Sequence, residues 1–212
     1  MDGAASAGLS AAFELDAAGQ HGEAFNVLKR ASAAGDLPAM TELGHRLLIG
    51  DRAPKMPDHA LSLIANAARA GEGRALARMA ALSAAGAYLP QDWTGALRLL
   101  AAAAAAGDAG ARGQLTCLQP PHAPPAHWPD ADWSGMAARV PLADWLCAAP
   151  VIPLEPRVGH VLQLAPAAVC DWVIARARTR LGRALVYDAV ERRELAHAMR
   201  TNSAASFDYA SL

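Results

Sequence analysis

An alanine-glycine-acid pattern returns in this chain every 36 residues: Ala34-Gly35-Asp36, Ala70-Gly71-Glu72 and Ala106-Gly107-Asp108. The same offset joins Ala31, Ala67 and Ala103, and it joins Ala39, Ala75 and Ala111. Leu43, Met79 and Leu115 keep it, as do Ala24, Ala60 and Ala96, and Gly50 with Gly86. Self-similarity at a fixed interval of this length marks stacked supersecondary units, each burying its apolar face only against its neighbours. A repeat array is therefore expected over the first half of the chain.

Within each unit the apolar spacing predicts two helices. One runs over 37–49, with Met40, Leu43, Leu47 and Leu48 at helical intervals and Gly50 behind it. A loop holding Pro54 and Pro57 leads to a second helix over 58–69, with Leu61, Leu63 and Ile64 inward and Gly71 as its stop. The next unit repeats this over 74–85 and 92–106. Alanines at fixed positions belong where helices cross, because a larger side chain there would push the axes apart.

Composition agrees. Alanine makes up about a quarter of the 212 residues, well above ordinary usage, and it is the best helix former. A formal net charge of −1 gives no bulk attraction to nucleic acid or to an acidic membrane. Residues 1–10 lack the charged and apolar regions of a signal peptide, and no run of 18 apolar residues offers a membrane span. Cys117, Cys147 and Cys170 are odd in number and far apart, as in a reducing compartment, and the expected location is cytoplasmic.

The repeat resembles the Sel1-like repeats, relatives of the tetratricopeptide repeat. The resemblance covers about Glu14 to Leu118 and rests on Leu43-Gly44, Gly50, Asp58 to Leu61, Ala67-Ala68 and Gly71. The first unit matches weakly, and the usual aromatics inside the helices are absent. What the resemblance implies is an α-solenoid that binds a protein or peptide ligand on its concave face.

From Gln119 to Gly135 the composition changes. Pro120, Pro121, Pro124, Pro125 and Pro129 do not fit a helix interior, so this stretch reads as an extended linker. Beyond it, 142–148 reads as a short helix, 157–164 as a strand and 166–181 as a helix, with strands over 183–187 and 194–203. The domain reading is thus a solenoid over 5–118, a proline-rich linker over 119–135 and a small α/β segment over 136–212. The fold class is mainly α. Residues 157–212 by themselves are expected to fold poorly.

The last segment has a resemblance of its own. Pro156-Arg157-Val158, the helix headed by Cys170-Asp171, the strand 184–188 and Arg200-Thr201-Asn202-Ser203 look like the opening of a prolyl-4-hydroxylase-like oxygenase, a double-stranded β-helix enzyme. That family uses Fe(II) and 2-oxoglutarate. The resemblance implies a substrate or partner role for Arg200, Thr201 and Ser203. Its iron ligands begin with His-x-Asp, which occurs nowhere in these 212 residues. No cofactor, metal or catalytic residue is therefore assigned within this chain.

Other groups have plain readings. His21-Gly22-Glu23 reads as a turn with an acid at a helix start. His122, His127, Asp130 and Asp132 lie in the proline-rich stretch without a supporting shell for a metal. Arg176, Arg180 and Arg183, with Arg178 beside them, read as a solvated helix face; no nucleic acid and no membrane is expected as a partner. Arg200 either clamps a peptide carbonyl or carboxylate or is an ordinary strand-edge arginine. Trp128 and Trp133 are placed to pin the linker to the solenoid, and the three cysteines are expected to be inert packing.

Two functions follow as expectations. One is a non-catalytic interaction module, with self-association through an open β-edge as a further mode. The other is the front part of a 2-oxoglutarate-dependent protein hydroxylase whose iron site lies beyond residue 212 or on another chain.

Overall fold

The computed structural model describes residues 6–120, 131–146, 152–154, 158–160, 165–188, 193–196, 202–205 and 207. Its first unit, up to Trp145, is built of antiparallel helices in succession. These are α1 (Ala7–Ala17), α2 (His21–Ala33), α3 (Leu37–Ile49), α4 (Pro57–Arg69), α5 (Gly73–Ala85), α6 (Trp93–Ala105), α7 (Ala109–Cys117) and α8 (Trp133–Arg139), with a short α9 (Leu142–Leu146) beyond. No helix among the described residues is long and apolar enough to cross a membrane.

Hydrogen bonding explains the 36-residue period. Gly35, Gly71 and Gly107 have φ of 88°, 86° and 97°, which glycine adopts without the cost a Cβ would add. Each donates its N–H back to the carbonyl of Ser32, Ala68 or Ala104. The N–H of the next residue reaches Ala31, Ala67 or Ala103 at 3.0 Å in each case. That pair of bonds satisfies the carbonyls left open where α2, α4 and α6 end. The same Asp36, Glu72 and Asp108 then turn their carboxylates forward and accept from the N–H of Ala39, Ala75 and Ala111, at 3.1, 2.6 and 2.7 Å. One acidic residue thus closes a helix with its backbone and caps the next with its side chain. This double use fixes the spacing.

The recurring alanines are the helix contacts. Ala24, Ala60, Ala39, Ala75, Ala111, Ala67 and Ala103 have no exposed surface, and Leu28, Ile64 and Leu48 fill the space between them. At the α3–α4 crossing, a Cβ on Gly44 would lie 2.7 Å from Cγ1 of Ile64, so only hydrogen fits. The loops repeat too. Gly50 and Gly86 end α3 and α5, and the N–H of Met56 and of Asp92 close the two loops on the carbonyls of Leu47 and Ser83.

The first repeat is short, which is why it matches weakly in sequence. Helix α1 has 11 residues where α3 has 13, and only Ala18, Gly19 and Gln20 join it to α2 where seven residues join α3 to α4. The fourth repeat also has a short first helix, but its loop is longer. Helix α7 has 9 residues, and the connection to α8 runs from Leu118 to Asp132.

Helix α8 corrects the boundaries expected from sequence. The linker expected over 119–135 and the segment expected from 136 divide this helix, yet Trp133, Met136 and Ala137 are buried in the core of the array. Asp132 caps α8 on Gly135 at 2.8 Å, as Asp92 caps α6 on Gly95 at 2.8 Å. Asp92-Trp93-Thr94-Gly95 and Asp132-Trp133-Ser134-Gly135 are therefore equivalent helix starts, and α8 is the second helix of the fourth repeat. Gln119 ties the two helices by donating from Nε2 to the carbonyls of Leu115 and Met136. Residues 121–130, which hold most of the prolines, lie outside the described residues.

The second unit spans Leu146–Asp208. It holds β1 (Ile152–Leu154), β2 (Val158–His160), α10 (Ala167–Arg178), β3 (Gly182–Arg183), β4 (Leu185–Asp188), β5 (Arg193–Ala196) and β6 (Ser203–Ala204). The strands form three antiparallel pairs: β1 with β2, β3 with β6 and β4 with β5. Ala184 donates to the carbonyl of Asn202, while the adjacent Leu185 faces Ala196. Of the strand expected over 194–203, residues 194–196 lie in β5 and 203 in β6, and 197–201 lie outside the described residues. Of the residues of this unit whose exposure is described, Ala184 alone is buried, and α10 buries none.

Candidate functional site

Neighbouring first helices of the repeats meet along polar seams. Between α1 and α3, Asp16 accepts from Nη2 of Arg46 at 2.5 Å and from Nδ1 of His21 at 2.8 Å, with Nη1 of Arg52 at 3.6 Å. Arg46 also donates from Nε to Glu42 at 3.0 Å, one helical turn back. The side chains of Asp16 and Arg46 are only 6% and 4% exposed. Burial pushes the Asp16 carboxyl up, but hydrogen bonds from His21 and Arg46 and the charges of Arg46 and Arg52 outweigh it and leave it below the ordinary value. Burial draws the Arg46 guanidinium down, and its bonds to Asp16 and Glu42 raise it overall.

Sequence reading missed this cluster. His21 proves to be a ligand of a buried carboxylate and not simply part of a turn. The Glu42–Arg46 spacing of four on one helix was the available signal.

The next seam, between α3 and α5, is also polar. Thr41 donates to Oε2 of Glu72 at 2.8 Å, Arg74 lies 3.5 Å from Oε2 of Glu42, and Nη1 of Arg78 donates to Nδ1 of His45 at 2.5 Å. One repeat further on the pattern stops. Thr41 and His45 are replaced by Ala77 and Ala81, Arg74 by Gly110 and Arg78 by Gln114.

At this seam a cleft of about 140 Å³ lies between α5, α6 and the end of α7, with Ala81 and Gln114 of the replaced positions in its lining. Ala81, Ala84, Trp93, Leu97, Gln114 and Leu118 line it and are all half-buried. Its size is close to that of an apolar cavity of about 150 Å³ that holds a benzene ring. In the preceding repeat, the positions of Ala81 and Ala84 hold His45 and Leu48, and Leu48 is fully buried. The short α7 lacks the last turn that α3 and α5 possess, which leaves the mouth open.

The residues singled out in the last segment are not brought together by what is described. Arg200 and Thr201 lie outside the described residues. Ser203 is exposed in β6, opposite Arg183 of β3. Asp132, expected only as part of a weak metal set, is the cap of α8. His122, His127 and Asp130 lie outside the described residues, as does Cys147.

Among the described residues no three His, Cys, Asp or Glu side chains gather as a metal would require. His-x-Asp, with which the iron ligands of the oxygenase family begin, is absent from the 212 residues. Cys117 is half-buried, and burial raises its thiol pKa. Cys170 is exposed, contrary to the buried thiol expected from its apolar neighbours, because α10 buries no face.

No protein-family model matches the sequence, and no curated protein matches it. Among solved structures, a Sel1 repeat protein from Oxalobacter formigenes aligns at 25% identity over 50% of this chain and 44% of that one, with a TM-score of 0.47. The alignment thus spans less than half of that protein.

Proposed function

We propose that this chain is a protein-binding module: four Sel1-like helical pairs that hold an apolar side chain of a partner protein in the cleft between α5, α6 and α7. The cleft carries the reading. Two successive seams are filled and stitched by polar side chains, whereas the third is lined by small and apolar ones and left open. An apolar depression with one amide, Gln114, at its edge suits a large side chain whose backbone needs a single hydrogen-bond partner.

The last segment belongs to this proposal as an oxygenase-like piece without chemistry of its own. Fe(II) and 2-oxoglutarate enter only if residues outside this chain supply the site, as in the alternative reading of the chain as the front part of a protein hydroxylase. The proposed location is the cytoplasm, on cysteine usage alone.

The test uses the full chain to isolate a partner from its own source, followed by calorimetry with that partner purified. Filling the cleft with Ala81→Trp is expected to weaken binding at least tenfold while the helical circular dichroism stays unchanged. Unchanged affinity in that variant overturns the cleft as the binding site. A partner that binds 146–212 and ignores the array overturns the reading as a whole.

A further inference from the structure

The two ends of the array are built unequally. At the amino-terminal end, the buried Asp16–Arg46 pair ties α1 to α3. Gly8 brings α1 so close to α2 that a Cβ there would lie 2.6 Å from the Cβ of Ala31. At the other end, α5 offers α7 the methyl groups of Ala77 and Ala81 at the positions where Thr41 and His45 of α3 bond to Glu72 and Arg78.

The helices of the last pair are also intrinsically weak. Helix α7 has 9 residues, two of them Gly110 and Gly113, and α8 has 7, lengths at which an isolated helix is marginal. Together they bury Ala111, Leu115, Trp133, Met136 and Ala137, whereas α3 alone buries eight residues. The pair therefore has less burial to hold it in place.

Within the pair the ties are direct. Nε2 of Gln119, just past α7, donates to the carbonyls of Leu115 in α7 and Met136 in α8 at 2.9 and 3.0 Å. The Arg112 guanidinium of α7 lies 5.7 Å from the centre of the Trp133 ring of α8. Toward α6, Arg112 donates from Nε to the carbonyl of Ala104 in the last turn, and apolar packing does the rest. A segment with strong internal ties and weak outward ones separates as a unit.

We infer that α7–α8 opens from α6 as one cooperative unit while α1–α6 stays folded. Gln114 and Leu118 form one wall of the cleft, so opening dissolves that wall and closing rebuilds it. One consequence rests on the function proposed above: an occupant of the cleft holds the pair closed.

Native-state hydrogen exchange on the full chain without ligand tests the opening by itself, whereas the binding of Ala81→Trp tests the cleft. In low urea, the hydrogen-bonded amides of 109–117 and 133–139 are expected to exchange at least about tenfold faster than those of 57–69, corrected for intrinsic rates. Both sets are expected to share one urea dependence, and α1–α2 to be the better protected end. Leu115→Ala is expected to speed exchange in α7 and α8 by about tenfold or more and to leave 57–69 unchanged. Gln119→Ala, which spares the apolar core, is expected to act in the same sense by about threefold. Equal protection of α4 and α7–α8, unequal urea dependence of α7 and α8, or earlier exchange of α1–α2 overturns the inference. So does a variant that speeds exchange of α4 as much as of α8, since the opening would then be global.

Discussion

The carboxylate of Asp16, at the end of α1, accepts from Nη2 of Arg46 in the last turn of α3 at 2.5 Å, with both side chains almost wholly buried. This pair locks the shortened first repeat onto the second. Breaking a buried pair by removing one partner costs about 3 kcal/mol, because the other charge stays buried without its counterion. Arg46→Met and Asp16→Leu are each expected to lower stability by about that amount in urea denaturation. The double variant is expected to recover much of the loss, and additive losses would mean that the two groups are not coupled.

The same cluster sets an acid dependence. The Asp16 carboxyl lies below its ordinary value in the folded chain. A depressed carboxyl contributes stability that is fully present above its unfolded pKa, about 3.9, and is lost as pH falls through the folded value. The urea midpoint is therefore expected to drop on acidification below about pH 5, and to drop less steeply in Asp16→Asn. Equal slopes for the two proteins would remove Asp16 from the account.

The recurring acids are not equal. Asp108 caps α7 on Ala111 alone, whereas Glu72 caps α5 on Ala75 and also accepts from Thr41 of α3. Asp108→Ala is expected to cost about 1 kcal/mol, the ordinary worth of such a cap. Glu72→Ala is expected to cost roughly twice that, since it also leaves the Thr41 hydroxyl with one partner fewer. Thr41→Val should erase most of the difference between the two in chemical denaturation.

Much of the array was legible because its determinants are local. Gly35, Gly71 and Gly107 with their following acids mark a helix end and a helix start together, so repeat length and helix bounds could be read directly. The first repeat was obscured because α1 and its loop are both shortened, which shifts α1 out of the 36-residue register. Helix α8 was missed because the long connection before it moves Asp132-Trp133-Ser134-Gly135 off the same register, although the four residues echo Asp92 to Gly95. The seams and the cleft depend on which side chains of α1, α3, α5 and α7 face each other across repeats. That relation appears only once the helices are stacked.

The cleft can be tested against the repeat before it. Leu48 fills there what Ala84 leaves open. Leu48→Ala is expected to cost about 3 kcal/mol as a buried large-to-small change. Ala84→Leu is expected to raise stability by about 1 kcal/mol, as added methylenes enter space already lined by apolar groups. A loss on Ala84→Leu in thermal or urea melts would mean that the cleft cannot accept a side chain, its own or a partner's.

Gly44 and Gly22 separate packing from helix propensity. Both lie within helices, so alanine at either position gains up to about 1 kcal/mol in propensity. At Gly22 of α2 a Cβ meets nothing within 4 Å, and Gly22→Ala is expected to stabilise by a few tenths of a kcal/mol up to that limit. At Gly44 it would meet Cγ1 of the fully buried Ile64 at 2.7 Å and the carbonyl oxygen of Ala60 at 3.1 Å. The axes of α3 and α4 would have to part, at a cost of about 1–3 kcal/mol that exceeds the propensity gain. Gly44→Ala is therefore expected to lower the melting temperature, and Gly44→Ala with Ile64→Val to recover part of it by trimming the side chain in conflict. A rise in melting temperature for Gly44→Ala alone would show that this crossing is looser than its neighbours and that glycine is not what holds the two helices at this distance.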